Sequence, residues 1–81
     1  SEKRFTKMPV AQGSRRAYFT TTDSFIECPI YRRTELGHGC QIHGPAIIEQ
    51  VDTTTIIPPD FQMYVDPWEN LILQQIEKAD E

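Results

Sequence analysis

Prolines and glycines interrupt this chain so often that no apolar stretch is long enough to form a core helix. Residues 43–61, "HGPAIIEQVDTTTIIPPDF", show the pattern: a Gly-Pro start, an apolar run, a break at Asp52, and a second apolar run that stops at Pro58-Pro59. Proline fixes φ and carries no backbone donor, so it ends regular pairing. Short apolar runs between such signals are typical of β-strands. The sequence therefore predicts an extended, turn-rich chain.

The first half of the chain predicts a β-hairpin followed by a loop. "RRAYFTTTDSF" and "FIECPIYRR" are rich in threonine, aromatic and β-branched residues, and a turn at Asp23-Ser24 separates them. Pro29 removes a donor, so we expect its strand to be an edge strand or to be interrupted there. "RTELGHGCQIHGP" holds Gly37, Gly39, Gly44 and Pro45, and it predicts a loop that allows close backbone approach.

The second half predicts further strands. "AIIEQ" and "TTTIIP" are two β segments with a bend around Asp52. "FQMYVD" alternates, which places Phe61, Met63 and Val65 on one face. "DPWEN" predicts a turn with Asn70 available for a positive φ, and "LILQQI" predicts the last strand.

Together these segments predict an all-β fold, either a small sandwich or a partly open barrel of five to seven short strands. We expect an extended N-terminal arm over residues 1–14, a β domain over residues 15–76 and an acidic tail over residues 77–81. The apolar fraction of 38% lies below the roughly 45–50% of ordinary domains. Because 81 residues bury only a thin core, the fold is expected to rely on a metal, a disulfide or a partner chain.

Charge and composition exclude several classes of function. The net charge of −4 argues against nucleic acid as the main partner, because phosphate binding requires a basic face. The basic residues are concentrated towards the start of the chain and acidic residues close it. This suits docking against other protein surfaces, although a solvated surface explains the pattern better. No run of about 18 apolar residues is present, so we expect no membrane span. No signal peptide is visible and only two cysteines occur, so we expect a cytoplasmic location.

The sequence gives little sign of catalysis. It holds no Gly-rich phosphate loop, and Cys28 stands before Pro29 rather than in the positive, partly exposed setting that activates a thiolate. Glu49 and Asp52 could pair for acid–base chemistry, but a surface turn explains them better. We therefore expect no catalytic residue and no cofactor-binding residue in this chain.

One cluster of metal-ligating residue types is present. Cys28, His38, Cys40 and His43 are all the cysteines and histidines of the chain, and two thiolates with two imidazoles can complete a tetrahedral zinc shell. Nearby glycines would let the side chains converge. The spacing alternates, however, whereas the usual finger pattern pairs cysteine with cysteine and histidine with histidine. The alternative is two ordinary cysteines and two loop histidines, and both interpretations stay open.

A family resemblance appears at "CPIYRR…LGHGCQIHGPAIIEQVDTTTIIPPDF…VDPWENLIL". This resembles the C-terminal segment of the large subunits in the hydantoinase/oxoprolinase family over most of the chain, from Arg15 to about Leu73. The long Gly-Pro-Ala-Ile-Ile-Glu stretch and the Pro-Pro turn keep their separation. The matching residues are Pro29, Tyr31, Arg33, Gly44, Pro45, Ala46, Ile47, Ile48, Glu49, Asp52, Thr54, Thr55, Pro58, Pro59, Asn70, Leu71 and Leu73.

The chain departs from that family pattern in two ways. Position 60 is aspartate where the family usually has glycine, which changes the turn after the prolines. His38, Cys40 and His43 stand where small or ordinary residues are expected, so a metal there would belong to this branch alone.

The resemblance also implies a function. In that family the ATP-binding and substrate chemistry lie in other domains, so the chain resembles a separate piece of an ATP-dependent ketone carboxylase of the acetophenone carboxylase type. It would be a small, non-catalytic structural subunit with larger hydantoinase-like subunits as partners, which use ATP and bicarbonate. The alternative is an independent β module that binds a small ligand or zinc.

Overall fold

The computed structural model describes residues 9–76. Residues 1–8 and 77–81 lie outside the described residues, and so do most of the predicted arm and the whole predicted acidic tail. Within the described part the chain forms seven strands and one turn of 3-10 helix, Arg33–Glu35. The strands are β1 Gly13–Phe19, β2 Ser24–Arg32, β3 Gln41–His43, β4 Ala46–Glu49, β5 Thr54–Ile57, β6 Phe61–Val65 and β7 Leu71–Gln75.

The strands form two small sheets. The four-stranded sheet has the order β1-β2-β4-β5, and the three-stranded sheet has the order β3-β6-β7. All neighbours are antiparallel except β2 and β4, which run parallel because the chain crosses through β3 in the other sheet between them. The all-β prediction is confirmed, and the two sheets do not close into a barrel. No helix in residues 9–76 has the length and apolar character needed to cross a membrane.

The predicted hairpin is formed by β1 and β2. Asp23, with φ of 50°, turns the chain between them. Beyond the hairpin, β4 pairs with β2 only from Ile30 onward. The carbonyl of Ile30 faces β1, where it accepts the amide of Gln12 at 2.8 Å. Because successive residues alternate in direction, the nitrogen of Pro29 faces the side on which pairing with β4 has not begun. β2 thus lies inside the strand order, but at Pro29 it pairs with β1 alone, because pairing with β4 begins at Ile30.

Two predictions about irregular segments were wrong. The predicted Gly-rich loop contains β3, whose three residues are too few to show an alternating pattern. In the "DPWEN" turn the positive φ of 65° belongs to Glu69, not to Asn70. Asn70 instead pairs with Asp66, because its carbonyl accepts the Asp66 amide at 3.1 Å and its own amide donates to the Asp66 carboxylate at 2.8 Å.

The main core joins both sheets. Its buried members are Leu36, Cys40, Ile42, Ala46, Ile48, Ile57, Met63 and Val65. The predicted alternation of β6 is confirmed, since Met63 and Val65 are buried, Phe61 packs against the same cluster and Tyr64 is exposed. A second buried cluster, Phe19, Cys28 and Ile47, lies on the opposite face of the four-stranded sheet. Neighbouring residues on β4 thus serve both clusters, as strand alternation requires.

Candidate interaction surface

Residues 43–61 hold the fold together mainly through contacts between backbone groups. A Cβ on Gly44 would lie 1.8 Å from the carbonyl oxygen of Pro58, so only glycine allows the two backbones to meet here. The Gly44 amide donates to the Phe61 carbonyl at 2.9 Å, and the Phe61 amide donates to the Pro58 carbonyl at 3.0 Å. The Gly44-Pro45 peptide is cis. The Gly-Pro and Pro-Pro signals therefore lock the start of β4 against the start of β6.

The bend between β4 and β5 is also closed by backbone groups. The Gln50 amide donates to the Thr53 carbonyl at 2.8 Å, and Val51 is fully exposed at the tip. Asp52 is exposed in the same turn, and Glu49 ends β4 opposite Thr54. The two carboxylates thus serve a surface turn, which agrees with the interpretation favoured from the sequence.

Arg33 joins the two sheets at the other end of the core. Its guanidinium donates to the Leu36 carbonyl at 2.9 Å and to the carbonyl of Glu69 in the turn between β6 and β7. The side chain thereby connects the turn after β2 to a turn 36 residues further along the chain. Nothing in the sequence distinguishes Arg33 from its neighbour Arg32 except its place in the family motif.

The exposed side of the hairpin carries a group of side chains that the core does not use. We call Arg16, Tyr18 and Phe25 the hairpin face. Tyr18 and Phe25 are cross-strand partners whose ring centroids lie 5.3 Å apart at 63°, an edge-to-face arrangement. The Arg16 guanidinium lies 5.5 Å from the centre of the Phe25 ring. The Tyr18 hydroxyl donates to the Asp23 carboxylate, and this hydrogen bond raises the pKa of Tyr18.

The hairpin face is exposed because of the sheet topology. Since β4 pairs with only the last three residues of β2, the rest of the hairpin extends past the neighbouring strand. Phe25 is 62% exposed and Tyr18 is 48% exposed, although their rings are already held in place by each other and by Arg16. Ordered aromatic and arginine side chains are the residues enriched at the energetic centres of protein interfaces. The arrangement is therefore suited to docking against another protein surface.

The sequence shows the residue types of the hairpin face but not their exposure. "RRAYF" and the following "SF" supply the residue types, but their exposure depends on how far β4 overlaps β2. Trp68, which is 77% exposed in the turn between β6 and β7, is a further exposed aromatic that residue types alone did not single out.

The four candidate zinc ligands occupy different environments. Cys28 is buried beside Phe19 and Ile47, whereas Cys40 is buried in the main core on the other side of the four-stranded sheet. His38 and His43 are exposed. Across residues 9–76, no three histidine, cysteine or carboxylate side chains lie close enough together to hold a metal ion. The arrangement gives the zinc hypothesis no support, and it stays a prediction that elemental analysis of the native protein and a Cys40→Ser variant would test.

Both thiols are in settings that oppose ionisation. Burial raises the pKa of Cys28, whose Sγ donates to the Ile26 carbonyl at 3.3 Å. Burial also raises the pKa of Cys40, and the nearby Arg33 charge offsets this only in part. Such thiols behave as small apolar core residues rather than as nucleophiles.

An open polar depression lies over the outer side of the three-stranded sheet, lined by His38, Gln41, Gln62, Tyr64, Asp66 and Gln74. The amide of Asn70 lowers the pKa of Asp66, and the amide of Trp68 and the charge of His38 act in the same direction. The Asp66 carboxylate accepts these backbone amides at 2.8 and 2.9 Å, so it caps the turn. Its role in the depression is therefore structural.

The family assignment covers every residue that the structure describes. A model of the hydantoinase/oxoprolinase C-terminal domain matches residues 2–76. The chain belongs to this family. The residues named above as closing turns and joining sheets, Gly44, Pro58 and Arg33, are among those that match the family motif.

Hydantoinase/oxoprolinase C-terminal domains occur within much longer relatives. The acetophenone carboxylase gamma subunit of Aromatoleum aromaticum is 36% identical over 67 residues, which cover 83% of this chain and 9% of that protein. An uncharacterized protein of Methanocaldococcus jannaschii is 37% identical over 60 residues, covering 74% of this chain and 8% of that protein. This chain therefore spans less than a tenth of the length of either relative.

A solved structure shares the fold. The nucleotide-free structure of acetone carboxylase superposes with a TM-score of 0.80 at 24% identity, covering 93% of this chain and 11% of the other. At that identity the likeness establishes the arrangement of strands and nothing about substrate.

Proposed function

We propose that this chain is a small, non-catalytic structural unit of a multi-subunit ATP-dependent carboxylase that acts on an aromatic ketone of the acetophenone type. Larger hydantoinase-like subunits would use ATP and bicarbonate to convert acetophenone to benzoylacetate. The relationship to the acetophenone carboxylase gamma subunit supports the carboxylase assembly and the choice of ketone.

The observation that carries the proposal is that the family-motif residues stabilise the domain internally, whereas the ordered side chains on its surface are free to contact a partner. The motif residues Gly44 and Pro58 meet backbone to backbone, and Arg33 joins two turns, so the family motif is used to hold this domain together. The ordered side chains left on the outside are the aromatic and arginine groups of the hairpin face. A domain of this kind contributes by packing and docking, while the reacting groups lie on other subunits.

Purification of the native assembly through a tag on this chain tests the proposal. We expect large hydantoinase-like subunits to co-elute, and the assembly to hydrolyse ATP only when acetophenone and bicarbonate are both present. The isolated chain should show neither reaction. In a matched preparation that lacks this chain, the large subunits should fail to assemble but should still bind nucleotide, because the nucleotide site would lie on those subunits.

Two results would contradict the proposal. If the tagged chain elutes from the native extract as a folded monomer, the alternative of an independent binding module is favoured. If the assembly forms but accepts no ketone, the structural role stands and the substrate is wrong.

A further inference from the structure

Within residues 9–76, no strand pairs with the outer edge of β7, whose backbone groups face outward in a regular pattern. The Ile76 amide donates to the Asp60 carbonyl at 2.8 Å, and the Asn70 carbonyl accepts the Asp66 amide. These two bonds fix the direction of every residue between them, because successive residues alternate. Ile72 and Gln74 therefore face β6. The amides and carbonyls of Leu71, Leu73 and Gln75 face the free edge of the three-stranded sheet.

This edge lacks the devices that normally keep strand edges from pairing. Residues Leu71–Gln75 include no charge, proline or glycine. The other long edge, β1, carries Arg15 and Arg16 at its centre. Charged side chains on an edge strand oppose pairing with another chain, and an uncharged edge invites it. The main core also reaches this edge, because Leu71 packs against the core. Leu73 on the same strand is 38% exposed, so it offers apolar surface at the edge.

Acidic groups stand at both ends of the uncharged edge. At the C-terminal end of β7, one oxygen of the Asp60 carboxylate accepts the Gln75 side-chain amide at 3.1 Å. Its other oxygen is buried and accepts no hydrogen bond from any group within residues 9–76. At the N-terminal end lie Asp66 and the exposed Glu69. Acidic groups at both ends of an uncharged edge favour a partner segment with positive charges at its ends.

From this pattern we propose that β7 accepts an added strand from a larger partner polypeptide, apolar at alternate positions and basic at its ends. The strand would pair with the outward groups of Leu71, Leu73 and Gln75, extend the core beside Leu73, and place its basic ends near Asp60 and Glu69. A second copy of this chain fits less well. Two-fold pairing about Leu73 would set the Asp60 end of one copy against the Glu69 end of the other, acid against acid.

This inference rests on the proposed function only in requiring a larger partner, and it is tested on the full chain alone. The probe is a capped peptide of sequence KVTVTVK, with EVTVTVE as the matched control. Residue-resolved hydrogen exchange should show protection of the Leu71, Leu73 and Gln75 amides when KVTVTVK is added. The amides of Ile72 and Gln74 should change little, because they already pair with β6. The control peptide should bind about tenfold more weakly, since its ends repel the flanking carboxylates.

Proline variants separate edge pairing from folding. Leu73→Pro and Gln75→Pro each remove an amide that faces outward. The amides of β7 that donate to β6 stay in place. Either variant should abolish the protection by KVTVTVK while Ile72 and Gln74 keep theirs. The proposal is overturned if neither peptide protects the outward amides. It is also overturned if protection rises with chain concentration in the absence of peptide, which would assign the edge to a second copy. Neither result bears on the carboxylase assay of the tagged assembly.

Discussion

Gly44 is the position at which a single methyl group is expected to matter most. A Cβ there would overlap the Pro58 carbonyl, so Gly44→Ala must separate the starts of β4 and β6. We expect the free energy of unfolding to fall by about 3 kcal/mol, the upper end for overpacking. Urea denaturation measures this. Gly37→Ala is the control, because a Cβ at Gly37 would meet no atom of residues 9–76 within 4 Å. This substitution should change the free energy of unfolding by less than about 0.5 kcal/mol. Equal effects of the two substitutions would refute the steric explanation.

Asp66 makes stability depend on acid pH. The backbone amide of Asn70 holds the pKa of the Asp66 carboxyl below its usual range, so the carboxylate stabilises the fold fully above the unfolded pKa of about 3.9. That contribution is lost as the pH falls through the lower folded value. In urea titrations the difference in unfolding free energy between wild type and Asp66→Asn should therefore be constant above about pH 5 and shrink below about pH 4. A difference that does not change with pH would show that the carboxylate charge has no part in the turn.

At the scale of the elements, the hairpin face should matter more for assembly than for folding. Phe25→Ala removes the contacts with Tyr18 and Arg16, which are solvent-exposed, so the unfolding free energy should fall by about 1 kcal/mol or less. Binding of the chain to the co-purified large subunits should weaken by about 2 kcal/mol, roughly thirtyfold in Kd.

Calorimetric titration of the large subunits with each variant measures the Kd and hence the binding free energy. Thr21→Ala, in the exposed turn of the same hairpin, is the control and should leave both quantities unchanged. If Phe25→Ala binds as tightly as wild type, the hairpin face is not the docking surface.

At the scale of the whole molecule, the two sheets should unfold as one unit. The main core draws on both sheets, and the second cluster shares β4 with it. Cys40 reports on the first cluster and Cys28 on the second, and burial raises the pKa of both thiols. In the single-cysteine variants Cys28→Ala and Cys40→Ala, the remaining thiol should react with iodoacetamide only as the chain unfolds. Each should react at the urea midpoint that circular dichroism gives for the same variant. Labelling of one cysteine at clearly lower urea than the unfolding of its own variant would show that its cluster opens independently.

The sequence by itself determined the fold class and the ends of most strands. Proline and glycine act locally: Pro58-Pro59 cannot continue β5, and the alternation of "FQMYVD" leaves only one way to bury Met63 and Val65. These effects depend on neighbouring residues, so they can be predicted without knowing the partner strands. The family resemblance was likewise carried by short motifs that keep their order.

Only the tertiary structure decided which strands are neighbours, and with them the environment of each candidate residue. The parallel pairing of β2 with β4 places Cys28 and Cys40 in separate clusters, although the two lie close in sequence. The same pairing stops short of Phe25, which leaves the hairpin face exposed. Pairing between distant strands depends on burial and register over the whole chain, and a local pattern contains neither.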